Sequence, residues 1–309
     1  MITLVVPTRN RAHTLRLVAP SYFAQEDVSE LIFVSDAGDD DTPAVIAEVA
    51  RQFPDKVCRM LRNETRQGAS QSRNVGIAAS TNEFILFCDD DEYLEAGYGR
   101  ILLQKLRALN AGAVSGRRIY LKAGESRADA LQRFGTGIGS KRTFRRLICE
   151  YINGAKFTGD IPLPITNAII LTKKSLLQQF PFDKYYARGN GYREETDFQM
   201  NLFVHGLDIY VTNDCHSFHL PLSEVRTGGQ RTQPLKRLYW SIFYTRYFFG
   251  KYYERYAGRA GLKSPRWVAL AAFAMFAVYR ETLRPILHGI AMQVLARRAS
   301  AERHPNFSG

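Results

Sequence analysis

The run Phe84-Ile85-Leu86-Phe87-Cys88-Asp89-Asp90-Asp91-Glu92 sets five apolar residues directly before four carboxylates. A short apolar run bounded by charge reads as a buried strand over 84–88. Four like charges at its C-terminal end repel one another unless something cationic sits among them. In open α/β sheets that end of a strand is where ligands bind. A divalent cation carrying phosphate oxygens suits the cluster, since Mg²⁺ and Mn²⁺ prefer carboxylate and phosphate oxygen. The competing reading is a solvated acidic turn that caps the next helix.

Outward from this run, short apolar stretches alternate with amphipathic ones. Strands are expected over 2–6, 31–35, 57–61 and 113–120, and helices over 12–23, 68–79 and 97–110. Another helix opens at Thr42 and Pro43, a favoured N-cap followed by proline in the first turn. Such alternation implies right-handed βαβ units and an α/β fold with a mostly parallel sheet flanked by helices. Residues 121–164 are less regular. Their run Gly135-Thr136-Gly137-Ile138-Gly139 resembles a phosphate loop only superficially, lacking the Walker spacing, and reads as a flexible loop. A strand over 168–171, helices over 173–180 and 195–205, and a strand over 209–211 follow.

The 309 residues carry a net charge of +12, with 45% hydrophobic and 23% charged residues, as in a folded globular chain. Residues 226–309 hold 15 Lys+Arg against 3 Asp+Glu, whereas residues 1–225 hold 27 of each. The boundaries expected are therefore 1–225 for an α/β domain, with halves 1–120 and 121–225, and 226–309 for a basic, aromatic helical tail. The longest uncharged apolar run there, 267–279, has 13 residues. A spanning helix needs about 20. Basic and aromatic residues on short amphipathic helices suggest a surface lying in an anionic bilayer interface. The alternatives are a helical subdomain packed on the sheet, or an oligomer contact. Cysteines 58, 88, 149 and 215 lack metal-ligand spacing and argue for a reducing compartment. The N-terminus enters a strand at once, so no secretory signal is expected and the sequons at Asn63 and Asn306 read as chance matches.

Five segments carry the chemistry in order. Val5-Val6-Pro7-Thr8-Arg9-Asn10-Arg11 and Val34-Ser35-Asp36-Ala37-Gly38-Asp39-Asp40-Asp41-Thr42 end strands. Gly68-Ala69-Ser70-Gln71-Ser72-Arg73-Asn74-Val75-Gly76 opens a helix, and Phe87-Cys88-Asp89-Asp90-Asp91 follows the next strand. Phe182-Asp183 precedes Gly191-Tyr192-Arg193-Glu194-Glu195-Thr196-Asp197-Phe198. Together they resemble the family 2 glycosyltransferases of GT-A fold, over roughly residues 2–220. The resemblance implies a nucleotide-sugar half followed by an acceptor-side half.

It also implies roles. Asp36 falls where the family holds the nucleoside, although this turn reads Ser-Asp-Ala-Gly where two aspartates are common, leaving the base open. Pro7, Thr8 and Arg9 would line the nucleoside pocket, or simply make the turn. Arg73 would reach the sugar nucleotide or steady the acidic cluster. Alternate side chains of an extended segment share a face, so Asp89 and Asp91 can address one Mn²⁺ or Mg²⁺ while Asp90 points elsewhere in the donor site. Asp91 is favoured as the direct ligand, with Asp89 on the ribose or on metal-bound water. Glu195 aligns with the family's base, which takes the acceptor's proton. Glu194 and Asp197 would orient it, or merely favour a helix N-terminus. His219 is a candidate further metal ligand, and His216, three residues earlier, would face the other way.

The leading expectation is an inverting, metal-dependent glycosyltransferase. It would move one sugar from a nucleoside diphosphate to a hydroxyl of a lipid-linked or surface glycan, peripheral on the inner face of the cell membrane and with no nucleic-acid partner. A nucleotidyltransferase would want a glycine-rich triphosphate loop where Pro7-Thr8-Arg9-Asn10 stands. A non-catalytic module binding nucleic acid or membrane through the tail has no use for intact acidic motifs at strand ends.

Overall fold

A computed structural model of the chain describes residues 1–135, 143–225, 233–287 and 293. The glycine-rich run beyond Gly135, the sequon at Asn306 and the rest of the tail's terminus lie outside the described residues. In chain order the elements are β1 (Ile2–Thr8), α1 (Ala12–Phe23), β2 (Val28–Asp36), α2 (Thr42–Ala50), β3 (Val57–Asn63) and α3 (Gly68–Ala79). Then come β4 (Phe84–Phe87), β5 (Glu92–Leu94), α4 (Tyr98–Ala108), β6 (Ala113–Tyr120), α5 (Arg127–Phe134), and the small hairpin β7 (Phe144–Arg145) and β8 (Glu150–Tyr151). Residues 121–225 close with β9 (Asp160–Leu163), β10 (Ile170–Lys173), α6 (Lys174–Gln179), a 3-10 turn (Lys184–Ala187), α7 (Glu194–Val204) and β11 (Ile209–His219). The tail gives α8 (Pro234–Ala260), α9 (Arg266–Val278) and a π turn (Tyr279–Leu283).

Nine strands form one sheet in the order β3-β2-β1-β4-β10-β6-β11-β5, with β9 also paired to β11. β1, β2, β3 and β4 are mutually parallel. β10 lies antiparallel to both β4 and β6, so β6 and its parallel neighbour β11 run with the first four. Six strands thus share a direction, and only β5, β9 and β10 oppose it. Parallel strands are buried on both faces and read as unbroken apolar runs. β1 is accordingly buried from Ile2 to Thr8. Ile2, Leu4 and Val6 face the layer made with α1 and α4, and Val5 faces the layer made with α3, α6 and α7. α3 comes very close to the sheet: a Cβ on Gly76 would stand 2.4 Å from a Val5 methyl.

Two expectations change. β11 does not end near Val211. It bulges between Thr212 and His216 and continues to His219, with β9 on its first half and β5 on its last. Residues 92–94 form β5 rather than part of an acidic turn, and Glu92 is wholly buried. The amide of Asn63 is buried too and donates to Asp36 and Ser72, leaving no room for a glycan. The four thiols are free.

The tail's aromatics mostly turn inward. α8 is 27 residues long, and Tyr244, Phe248, Phe249, Tyr252, Tyr253 and Tyr256 are buried. Phe248, Phe249, Tyr252, Tyr253 and Tyr256 share a core with Tyr151, Phe157, Met200 and Val211. α8 is clamped to α7 by a polar knot: buried Asp197 accepts from Lys251 Nζ at 2.8 and 2.9 Å, Tyr186 Oη at 2.8 Å and Tyr252 Oη at 3.0 Å. No described helix is long and apolar enough to cross a membrane. Lys251→Met would leave that carboxylate buried without its cation. The expected loss of folding stability is on the order of 3 kcal/mol, the scale for breaking a buried pair. Urea unfolding checks it, and an unchanged midpoint would remove Lys251 from the clamp.

Candidate active site

Because six strands are co-directional, their C-terminal ends deliver side chains to one edge of the sheet. Thr8 of β1, Asp36 of β2, the turn after β4, Arg118 of β6 and His219 of β11 all line a single cavity of about 1150 Å³. Arg73 reaches it from α3, and Glu194 and Glu195 from the first turn of α7. Pro7, Arg9, Asp90 and Asp91 complete the expected set on its walls. Asp197 is the exception. Its side chain is 1% exposed and held by α8 and Tyr186 on the far side of α7, so it serves the clamp rather than the cavity.

The acidic tetrad splits into different environments. Asp89 accepts from Arg118 Nη2 at 2.7 Å and Arg73 Nη2 at 3.2 Å, one on each oxygen. Burial raises its pKa, but Arg118 and then Arg73 outweigh burial and hold it below the usual carboxylate range. Each carboxylate oxygen of Asp89 thus carries one guanidinium contact, and the residue bridges two cations. Glu92 is held by Arg118 from behind, Nε to Oε1 at 2.9 Å. Asp90 faces Arg11 Nε at 3.5 Å. Burial and the neighbouring Asp91 charge push Asp90 up to about 7. The Tyr22 hydroxyl, from α1, lies against the carbonyls of Asp89 and Glu92 and fixes the backbone of this turn.

Asp91 meets His219. The Nδ1 of His219 lies 2.6 Å from the Leu220 carbonyl. A carbonyl only accepts, so Nδ1 carries the proton and a neutral ring presents a lone pair at Nε2. That atom stands 3.6 Å from Asp91 Oδ1, too far for a hydrogen bond. A lone pair and a carboxylate oxygen facing each other across such a gap fit a cation between them, of the kind N and O ligands hold. His216 points to the opposite face and pairs with Glu95 at 3.0 Å. No group of three or more His, Cys, Asp or Glu is arranged to hold a metal among the described residues. A cation here would therefore need oxygen ligands from a substrate, as Mg²⁺ sites on phosphates do.

Across the cavity, Arg193 takes a left-handed φ of 79° to turn the chain into α7. Glu194 is then fixed by Arg73 Nη1 at 2.5 Å and Ser70 Oγ at 3.2 Å. Glu195 is half-buried in the wall, and its carboxylate is held by its own backbone amide. Burial first and the Glu194 charge second push its carboxyl up to about 7, against the pull of Arg73. A carboxylate with a raised pKa, facing a cavity, has the properties of a general base.

Asp36 differs from expectation in detail. Its oxygens accept the backbone amides of Gln67 and Gly68, each at 2.8 Å, and Asn63 Nδ2 at 3.0 Å. It lines the cavity, but its carboxylate pins the start of α3. Sequence reasoning missed Arg11, Tyr22 and Arg118. Arg118 carried a usable signal, being a charged residue at the C-terminal end of a strand already read as parallel. Arg11 is 5% exposed, and its Nη1 has no hydrogen-bond partner among the described residues, an orphan donor in the donor-side wall.

Comparison with known proteins bears on the fold and the family. Solved structures of S. aureus TarS residues 1–349 superpose with TM-scores of 0.57 for its complex with UDP-GlcNAc and 0.55 for its complex with UDP. Each covers 90% of this chain and 72% of that one, at 13% and 14% identity, which bears on fold alone. The fold is GT-A. Among curated relatives, a GalNAc(5)-diNAcBac-PP-undecaprenol beta-1,3-glucosyltransferase of Campylobacter jejuni is 27% identical over 65% of this chain and 59% of its own length. An uncharacterized glycosyltransferase of Haemophilus influenzae is 37% identical over 30% of each chain. The chain thus spans less than two thirds of the length of these relatives. The model of the family described as "Glycosyl transferase family 2" matches residues 3–183, well over half of the sequence, and the chain belongs to that family.

Proposed function

We propose that the chain transfers a sugar, with inversion, from a nucleoside diphosphate to a hydroxyl of a lipid-linked glycan at a membrane surface. The observation that carries this is the cavity joining the cationic and acidic wall of β1, β4 and β6 to Glu195 opposite, whose carboxyl is pushed up to about 7. The diphosphate would lie against Arg11, Arg73 and the Asp91–His219 side. The acceptor oxygen would attack the anomeric carbon from the Glu195 side, its proton passing to that carboxylate. The bond from that carbon to the diphosphate oxygen breaks on the opposite face. Arg73, through Glu194 and Asp89, holds base and donor turn in one frame. Asp91 and His219 would hold Mn²⁺ or Mg²⁺, which offsets charge on the departing diphosphate. The Campylobacter relative's undecaprenol-linked acceptor supports the acceptor class proposed.

The membrane reading rests on α9 rather than on α8. Trp267, Met275 and Val278 are 70%, 68% and 40% exposed and lie on one helical face, and Leu283 beyond them is 52% exposed. Arg266 and Arg284 flank the stripe. An apolar face bordered by cations matches an anionic bilayer interface.

Three measurements test these statements. Glu195→Gln should keep UDP affinity while kcat for transfer falls by about 10²- to 10⁴-fold, the range for a lost general base. Since the base works unprotonated, kcat/KM of the native enzyme should fall as pH drops through about 7, and the variant should lack that limb. Full transfer by the variant would remove Glu195 from the role. Asp91→Asn should raise the Mn²⁺ concentration for half-maximal activity by at least about tenfold, read from a metal titration. An unshifted titration rejects Asp91 as ligand. Trp267→Glu with Met275→Glu should abolish flotation with vesicles containing phosphatidylglycerol, and unchanged flotation rejects the α9 face.

A further inference from the structure

The cavity does not stop at Glu195. Its volume of about 1150 Å³ exceeds the usual range for one small ligand, about 300–1,000 Å³, leaving room for a second substrate. The wall beyond the base is built by the tail. Arg237 comes from α8, and Arg280 and Glu281 come from the π turn. They face Glu150 and Tyr192 of the acceptor-side half.

These side chains form a chain of alternating charge. Glu281 is 6% exposed and accepts from the Nε of Arg237 and, at 2.7 Å, the Nε of Arg280. Arg280 Nη1 reaches Glu150 at 3.4 Å. Glu150 in turn meets Arg193 at 3.2 Å and the Tyr192 hydroxyl at 3.1 Å. Among the described residues, three guanidiniums share these two carboxylates. A guanidinium has five donors in a planar fork, so Arg280, paired through Nε and Nη1, keeps further donors for another anion on the same fork.

Two further observations point to a ligand. Buried ion networks are weak contributors to stability, so a carboxylate sunk between two cavity-lining arginines is better explained as holding them in position. Single π turns inside helices are rare and concentrate at functional sites. This one, Tyr279–Leu283, follows the exposed stripe of α9 directly and brings Arg280 to the cavity wall while Tyr279 and Leu283 stay exposed. Apolar surface and cationic wall are therefore adjacent.

We infer that Arg237 and Arg280 form an anion subsite for the phosphate or diphosphate of an amphipathic acceptor. The acceptor's apolar chain would run toward the α9 face and its sugar hydroxyl toward Glu195. This rests on the glycosyltransferase reading for which substrate lies where, though the subsite can be measured without turnover. Calorimetric titration of the full chain, with saturating UDP and Mn²⁺ to fill the donor side, compares geranyl diphosphate, inorganic pyrophosphate and geraniol. Geranyl diphosphate should bind and geraniol should bind at least tenfold more weakly. Arg237→Gln and Arg280→Lys should each weaken geranyl diphosphate at least tenfold, with UDP affinity unchanged as the control for intact folding. Geranyl diphosphate binding that is absent, or equal in both variants and native protein, overturns the subsite. Pyrophosphate binding as tightly as geranyl diphosphate, with the same arginine dependence, overturns the lipid-linked assignment in favour of a free anion. Failure of UDP itself to bind would instead strike at the glycosyltransferase reading, while loss of geranyl diphosphate in the variants would still support the subsite.

Discussion

One buried guanidinium ties the two halves of the site together. Arg73, on α3, is 3% exposed and pairs with Asp89 after β4 and with Glu194 at the start of α7. These carboxylates belong to segments more than a hundred residues apart. Without the cation they would be like charges taken out of water in one cleft, a costly arrangement. Burial lowers the arginine's pKa, but Glu194, Asp89 and Glu195 more than restore it, so the group is charged and the triad is self-consistent. The geometry of the turn after β4 and the start of α7 follows from that contact, because α3 itself is locked to the sheet through Gly76.

A second guanidinium repeats the device. Arg118 joins Asp89 to the buried Glu92, and so couples β6 to the turn between β4 and β5. Asp89 thus becomes a relay between two cations, which leaves Asp91, with His219, on the side where a metal would sit. Four adjacent acidic residues in one run therefore do four different jobs. Asp89 fixes arginines, Asp90 sits beside Arg11, Asp91 faces the imidazole, and Glu92 is part of the sheet.

The tail changes meaning once folded. Its aromatics on α8 fill the core of the acceptor-side half, and Lys251 seals the knot on Asp197. What stays exposed is a narrower stripe on α9. Between the two, the π turn feeds Arg280 and Glu281 into the cavity, so the segment richest in positive charge is also a wall of the active-site cleft. The exposed stripe of α9 and the Arg280 wall of the cavity are neighbours in this arrangement.

Much of the fold was legible in the chain. Helices over Ala12–Phe23 and Gly68–Ala79 and the strand Ala113–Tyr120 follow directly from apolar period and turn residues. Such signals are local, set by the 3.6- and 2-residue repeats of helix and strand. The same locality put Asp36, Asp89–Asp91 and Glu195 at strand and helix ends and Arg73 inside α3, and parallel βαβ winding carries those ends to one edge. Tertiary structure decided the rest: the reversed β10 between β4 and β6, the extension of β11 to His219, and the burial of α8. It also decided partners. That Asp36 caps α3, that Asp197 faces Lys251, and that Arg118 holds Asp89 depend on groups distant in sequence, and electrostatic pairing follows proximity in space rather than position along the chain.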